Sequence, residues 1–216
     1  MDTIDRSILA GFYVSSLIGE DPTTHLERKS GLPENFFLQR LENLVSNGLI
    51  ESNKTSLSEM GRSSIRVVLA GGVFDIIHPG HIHTLNSAKA LGDVLVVVIA
   101  TDNTAQKMKK RKPLHNQDQR QILVDSLSVV DVSLVGHEGD IFKTVDIIKP
   151  QIIALGYDQA HQEKFITEGC KKINLDVTVA RLQSPIPEVS SSIIEKKYGE
   201  NIHDIEIISR LLGQLL

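Results

Sequence analysis

GGVFDIIHPGHIHTLNSAKALGD, residues 71–93, sets two glycines, an Asp and three histidines between an apolar run and a stretch that reads as a helix. Pro79-Gly80 stands where that helix begins, and proline suits the first helical position because the N–H it lacks is not needed there. Backbone amides and the helix dipole at such a start attract anions. His78 and His81, three residues apart, lie near one another on the first turn, and each ring can donate to a phosphate oxygen. With His83 the pair could instead supply metal ligands, or all three could be surface residues. Zinc is the weaker reading, since no cysteine is near and His81 and His83 point to different faces. His83 is read as an entrance or surface residue.

Around this stretch, apolar runs alternate with amphipathic ones. Strands are predicted at 66–70, 94–100, 132–135, 152–155 and 176–180, and helices at 80–91, 115–128, 139–148, 159–172 and 190–198. Near-continuous Val/Ile/Leu strands separated by helices indicate a parallel sheet covered on both faces. The expected fold is α/β, a Rossmann-like doubly wound sheet over residues 65–200. The glycine spacing is not that of a dinucleotide fingerprint, and no Gly-Lys-Ser/Thr follows as in a P-loop.

Residues 1–64 read differently: three short helical stretches, then a ribbon with a turn at Asn53–Lys54. They resemble a winged helix-turn-helix domain. Six Lys or Arg face nine Asp or Glu there, a net of −3, and Arg40 is the one basic residue of the candidate recognition helix. DNA binding needs a positive face, so a dimer contact or a lid over the substrate is expected in preference to nucleic acid. Residues 201–216 form a predicted amphipathic helix with Ile205, Ile208, Leu211, Leu212 and Leu215 on one stripe, suited to packing on its own domain or a partner subunit. The 216-residue chain carries a net charge of −4 and a single cysteine, Cys170, and its longest apolar run is of strand length. The expectation is a cytoplasmic protein without a membrane segment.

The run Gly72, Phe74, Asp75, His78, Gly80, His81 matches "G-x-F-D-x-x-H-x-G-H" without a gap. It resembles the signature of the HxGH nucleotidyltransferase superfamily, in the cytidylyltransferase-like branch. The resemblance spans about residues 66–198. It implies transfer of a nucleoside monophosphate from a nucleoside triphosphate to a small phosphorylated acceptor, with release of pyrophosphate. It also implies nucleotide contacts from Gly72, Val73, Phe74, Asp75, His78, Gly80 and His81, and Mg²⁺ carried with the triphosphate, near Asp75. A homodimer is expected by the same resemblance.

Further patches carry the same family's features. In AQKMKKRKPLHNQDQR, residues 105–120, the resemblance assigns Lys112, with Lys109 or Arg111 as alternatives, and Arg120 to the outer phosphates. In ALGYDQAHQEKF, Gly156 and Asp158 fall in a loop near base and ribose, and "GYDQ" is similar to the archaeal FAD synthase branch, whereas the glycerol-phosphate branch tends toward "GDDW". Arg181, Ser190 and Ser191 occupy the family's last phosphate-contacting segment, here stretched by Pro185 and Pro187. Asp75 and Asp102 read as supporting acids rather than general bases. Two activities follow: ATP plus FMN giving FAD, or a CTP-dependent transfer to glycerol phosphate or another alcohol phosphate. A nucleotide-sensing DNA-binding regulator is the reading from another class.

Overall fold

A computed structural model describes residues 1–183 together with 193 and 194. The predicted helix at 190–198 falls almost wholly outside that range, and Ser190, Ser191 and the tail 201–216 lie outside it altogether.

The chain opens with a helical subdomain: α1 (Thr3–Ile18), α2 (Pro22–Ser30), a 3-10 turn (Glu34–Phe36), α3 (Leu38–Ser46) and α4 (Glu59–Ser63). Local chemistry sets its ends. The Asp2 carboxylate accepts from the Asp5 amide at 2.9 Å and starts α1, which Gly19 stops with φ of 69°. Asp21 caps α2 with Pro22 in the first turn. The expected ribbon is reduced to one antiparallel bridge, Ile50 to Leu57. Arg40, on α3, is spent on Asp2 and Asp5, at 2.8 Å each.

The sheet follows. Its strands are β1 (Val67–Gly72), β2 (Val94–Ile99), β3 (Val132–Val135), β4 (Ile152–Leu155) and β5 (Thr178–Arg181). Between them run α5 (Pro79–Lys89), α6 (Asp102–Lys109), α7 (Gln117–Asp125), α8 (Ile141–Ile148), a 3-10 turn (Tyr157–Gln162) and α9 (Glu163–Lys172). The order is β3-β2-β1-β4-β5 with every pairing parallel, so the chain reverses direction of travel across the sheet between β1 and β4. Ligands of such sheets bind beyond the strand ends at that reversal. α6 is not among the predicted helices: only Ala105 of its eight residues is buried, and its lysine-rich face carries no apolar stripe.

One face of the sheet is covered by α8, α9 and the helical subdomain, through Ile8, Leu9 and Phe12 against Val67 and Val94. The subdomain docks where the strands begin. The Tyr13 hydroxyl donates to the Ile148 carbonyl at 2.7 Å, and the Arg62 guanidinium donates to the Lys149 carbonyl at 2.6 Å while lying 4.6 Å from the Tyr13 ring centre. Arg6 meets Asp93 at 3.4 Å. This is the edge opposite to His78, which corrects the lid reading: the subdomain braces the base of the sheet. Among the described residues no helix is long and apolar enough to cross a membrane.

Candidate active site

β1 ends in a turn that the sequence makes unusual. Phe74 is held at φ 53°, a left-handed conformation costly for a bulky residue. Its buried ring lies over Gly72, where an added Cβ would sit 2.9 Å from the ring, so glycine is required beneath it. Two buried charges hold this turn. Both carboxylate oxygens of Asp75 are committed: one accepts from the amides of Leu114 at 2.8 Å and His115 at 3.1 Å, the other from Arg111 at 2.8 Å. Arg120 has no exposed surface. It donates to the carbonyls of Val73 at 2.7 Å, Ala100 at 2.8 Å and His115 at 3.0 Å, and to the Asp102 carboxylate at 2.7 Å.

These bonds correct two expectations. Arg120 does not reach the triphosphate, because its guanidinium is used inside the protein to tie the ends of β1 and β2 to the loop before α7. Asp75 does not offer a place for Mg²⁺, because its oxygens already face hydrogen-bond donors. Asp102 acts as the support expected of it, holding Arg120.

After the turn, His78 stands as the N-cap of α5 with extended backbone (φ −143°, ψ 166°) and makes no side-chain cap hydrogen bond. Pro79 has no N–H and the amides of His81 and Ile82 donate to the His78 carbonyl at 2.9 and 3.3 Å, so the first turn keeps the Gly80 amide for an anion. The rings of His78 and His81 stack with centroids 3.9 Å apart at 29°, and Phe74 packs on His81 at 5.1 Å. Burial, then the neighbouring His78 and Lys109, pull the His81 pKa down to about 4. At neutral pH this imidazole is uncharged and its N–H is a directional donor.

A cleft of about 560 Å³ opens over the pair. Gly72, Val73, Phe74, His78, Gly80, His81 and Gly156 all line it, so the residues drawn from the signature and from the loop after β4 come together. Lys112 does not line it; Lys109 does. The reason is local: α6 carries Lys109 inward, then the chain turns at Lys110 with φ 56° and leaves Lys112 exposed, its carbonyl accepting from Arg111 at 2.7 Å. Asp158 lies in the 3-10 turn after Gly156, between Tyr157 and Gln159 at the cleft's edge. Arg181 is turned away. It pairs with Glu163 beside a separate groove that holds Lys164 and Lys171.

Gln159, which aligns with Gly156, Tyr157 and Asp158 in the family's loop near base and ribose, braces the sheet. Its carboxamide donates to the Gly71 carbonyl at 3.0 Å and accepts from the Gly156 amide at 3.0 Å, joining β1 to β4 across the reversal. The quoted "GYDQ" was its only signal.

A doubly wound sheet whose first strand delivers stacked histidines to a helix start defines the class: a nucleotidyltransferase. Comparison with known proteins gives the family. The cytidylyltransferase-like family profile matches residues 69–197, and the chain belongs to that family. It is 46% identical over 134 residues to the FAD synthase of Aciduliprofundum boonei, covering 62% of this chain and 80% of that one. It is 47% identical over 125 residues to the FAD synthase of Picrophilus torridus, covering 58% and 89%. A crystal structure described as the lipopolysaccharide core biosynthesis protein from Thermoplasma volcanium GSS1 superposes with a TM-score of 0.53 at 44% identity, over 56% of this chain and 98% of that one. Residues 1–68 lie outside the family match.

The depressed His81 value has a measurable consequence. Folded His81 takes up its proton near pH 4 and an unfolded histidine near 6.5, so between those values the unfolded chain binds more protons. Stability therefore falls as pH drops through that window, and His81→Asn flattens the fall. A bound triphosphate favours the charged imidazole, so the His81 NMR titration midpoint moves up toward 6.5 when MgATP is added. A midpoint unmoved by saturating MgATP would separate His81 from the phosphates.

Proposed function

We propose that the chain forms FAD, transferring AMP from MgATP to FMN and releasing pyrophosphate. The observation that carries this reading is the stacked His78–His81 pair at the start of α5, in a chain so similar to proteins named FAD synthase. The acceptor phosphate is already a competent nucleophile, so the protein's work is alignment and charge stabilisation. His78 and His81 hold the α-phosphate and the bridging oxygen from which pyrophosphate departs. Lys109 meets the charge that moves onto the outer phosphates. Gly156 and the 3-10 turn after it face base and ribose. Magnesium enters as part of the substrate, shielding the triphosphate; both oxygens of Asp75 already accept hydrogen bonds, and one oxygen of Asp102 holds Arg120. A homodimer belongs to the same reading.

The test is pyrophosphate release with ATP or CTP against FMN or glycerol 3-phosphate. Turnover is expected with ATP and FMN. Turnover confined to CTP and an alcohol phosphate would overturn the assignment.

A further inference from the structure

A second cleft, of about 400 Å³, opens at the same end of the sheet but on the opposite face, over α8 and α9. Its wall is apolar and aromatic. Phe142 and Phe165 face each other at 5.3 Å and 55°, and Met108 closes the side toward α6. Phe165 is 60% exposed and Met108 54%, an expensive way to leave large apolar side chains unless something flat lies against them. Thr101, Thr104 and Lys107 on one side, and His137, Asp140, Gln159 and Gln162 on the others, give the rim polar groups. An apolar, aromatic wall with polar groups around it is the pattern of a site for a heteroaromatic ring.

The two clefts meet over Gly71 and Gly72, which line both. Gly72 is explained by the Phe74 ring above it. Gly71 is not explained by the fold: a Cβ there would meet nothing closer than the Val98 carbonyl oxygen at 3.6 Å, an ordinary contact. Its φ is not in the left-handed region, so the backbone does not demand glycine either. A bare backbone that the protein's own packing does not require leaves room for a ligand to cross.

We infer that this second cleft seats the isoalloxazine ring of the acceptor, with Phe165 and Phe142 as its apolar wall and Gly71 as the ridge its phosphate crosses. The inference rests on the FAD-forming reading. With the ring in the second cleft and ATP in the first, an FMN phosphate oxygen faces the α-phosphorus over the ridge. That oxygen bonds to phosphorus, the bond from phosphorus to the α,β-bridging oxygen breaks, and pyrophosphate leaves with the electron pair. The charge carried by ATP and FMN is shared between FAD and pyrophosphate, and no oxidant or proton donor is needed.

Phe165→Ala, Phe165→Tyr and Gly71→Ala are compared with the wild type by steady-state kinetics and by quenching of FMN fluorescence. Phe165→Ala raises the KM for FMN at least ten-fold while the KM for ATP holds within two-fold, and Phe165→Tyr restores it. Gly71→Ala lowers kcat at least ten-fold with ATP binding unchanged. Phe165 is mostly exposed, so unchanged thermal unfolding accompanies these losses. A wild type that makes FAD, with Phe165→Ala keeping its KM for FMN, overturns the cleft and leaves the activity standing. A wild type that binds MgATP but neither binds nor converts FMN overturns the activity, and the flavin cleft with it.

Discussion

His78→Ala and His81→Ala each lower kcat about 100- to 1,000-fold, the effect of deleting one preorganised donor to developing charge. The expectation follows from geometry. The stacked rings, 3.9 Å apart, stand at the start of α5 beside the Gly80 amide, and both line the same cleft. Neither loss comes from unfolding, because both rings are only half-buried and neither anchors the core. Because the rings act as a unit, the double variant falls little further than the worse single one. Pyrophosphate release under saturating substrates measures kcat, and calorimetric titration with MgATP separates binding from chemistry. Full turnover by His78→Ala would remove the pair from the reaction.

The part of this site that is legible in the sequence is the part that is contiguous in it. A strand end, a tight turn and a helix start occupy Gly72 to His81, and their residue types are dictated locally by sterics and by exposed amides. β1, β2 and β4 are equally readable, because strands buried on both faces are runs of Val, Ile and Leu; the partly exposed β5, TVAR, begins two residues later than its sequence predicts. What escaped is set at long range. Nothing in RKPLHNQDQR distinguishes an arginine that grips phosphate from one that grips three carbonyls; the difference is burial, which depends on β1 and β2 converging on Arg120. Which lysine of a basic run faces the cleft depends on where α6 stops, and a helix without an apolar stripe gives no periodic signal. The docking edge of the helical subdomain rests on Tyr13 reaching Ile148, a contact between residues 135 apart. The bracing role of Gln159 is not legible either, since it exists only once Gly71 and Gly156 lie side by side.

Arg120→Met destabilises the protein by about 3–5 kcal/mol, the range for removing one partner from a buried hydrogen-bonded charge network. Methionine replaces the arginine stem but leaves the carbonyls of Val73, Ala100 and His115 without the donor that now satisfies them, in a place with no exposed surface. For a chain of this size such a loss lowers Tm by roughly 10 °C. Arg120→Lys recovers only part of it, because one ammonium cannot span three carbonyls and the Asp102 carboxylate as a planar fork does. Arg181→Ala is the contrast: its side chain is 65% exposed and its bond to Glu163 is a surface pair, so the change stays within about 1 kcal/mol. Urea unfolding of the three variants ranks them. Equal small losses for Arg120→Met and Arg181→Ala would mean that water enters to satisfy the turn. A large loss for Arg120→Met alone, with activity falling below the unfolding temperature as the Phe74 turn relaxes, makes Arg120 the residue that keeps β1 aimed at the substrate without touching it.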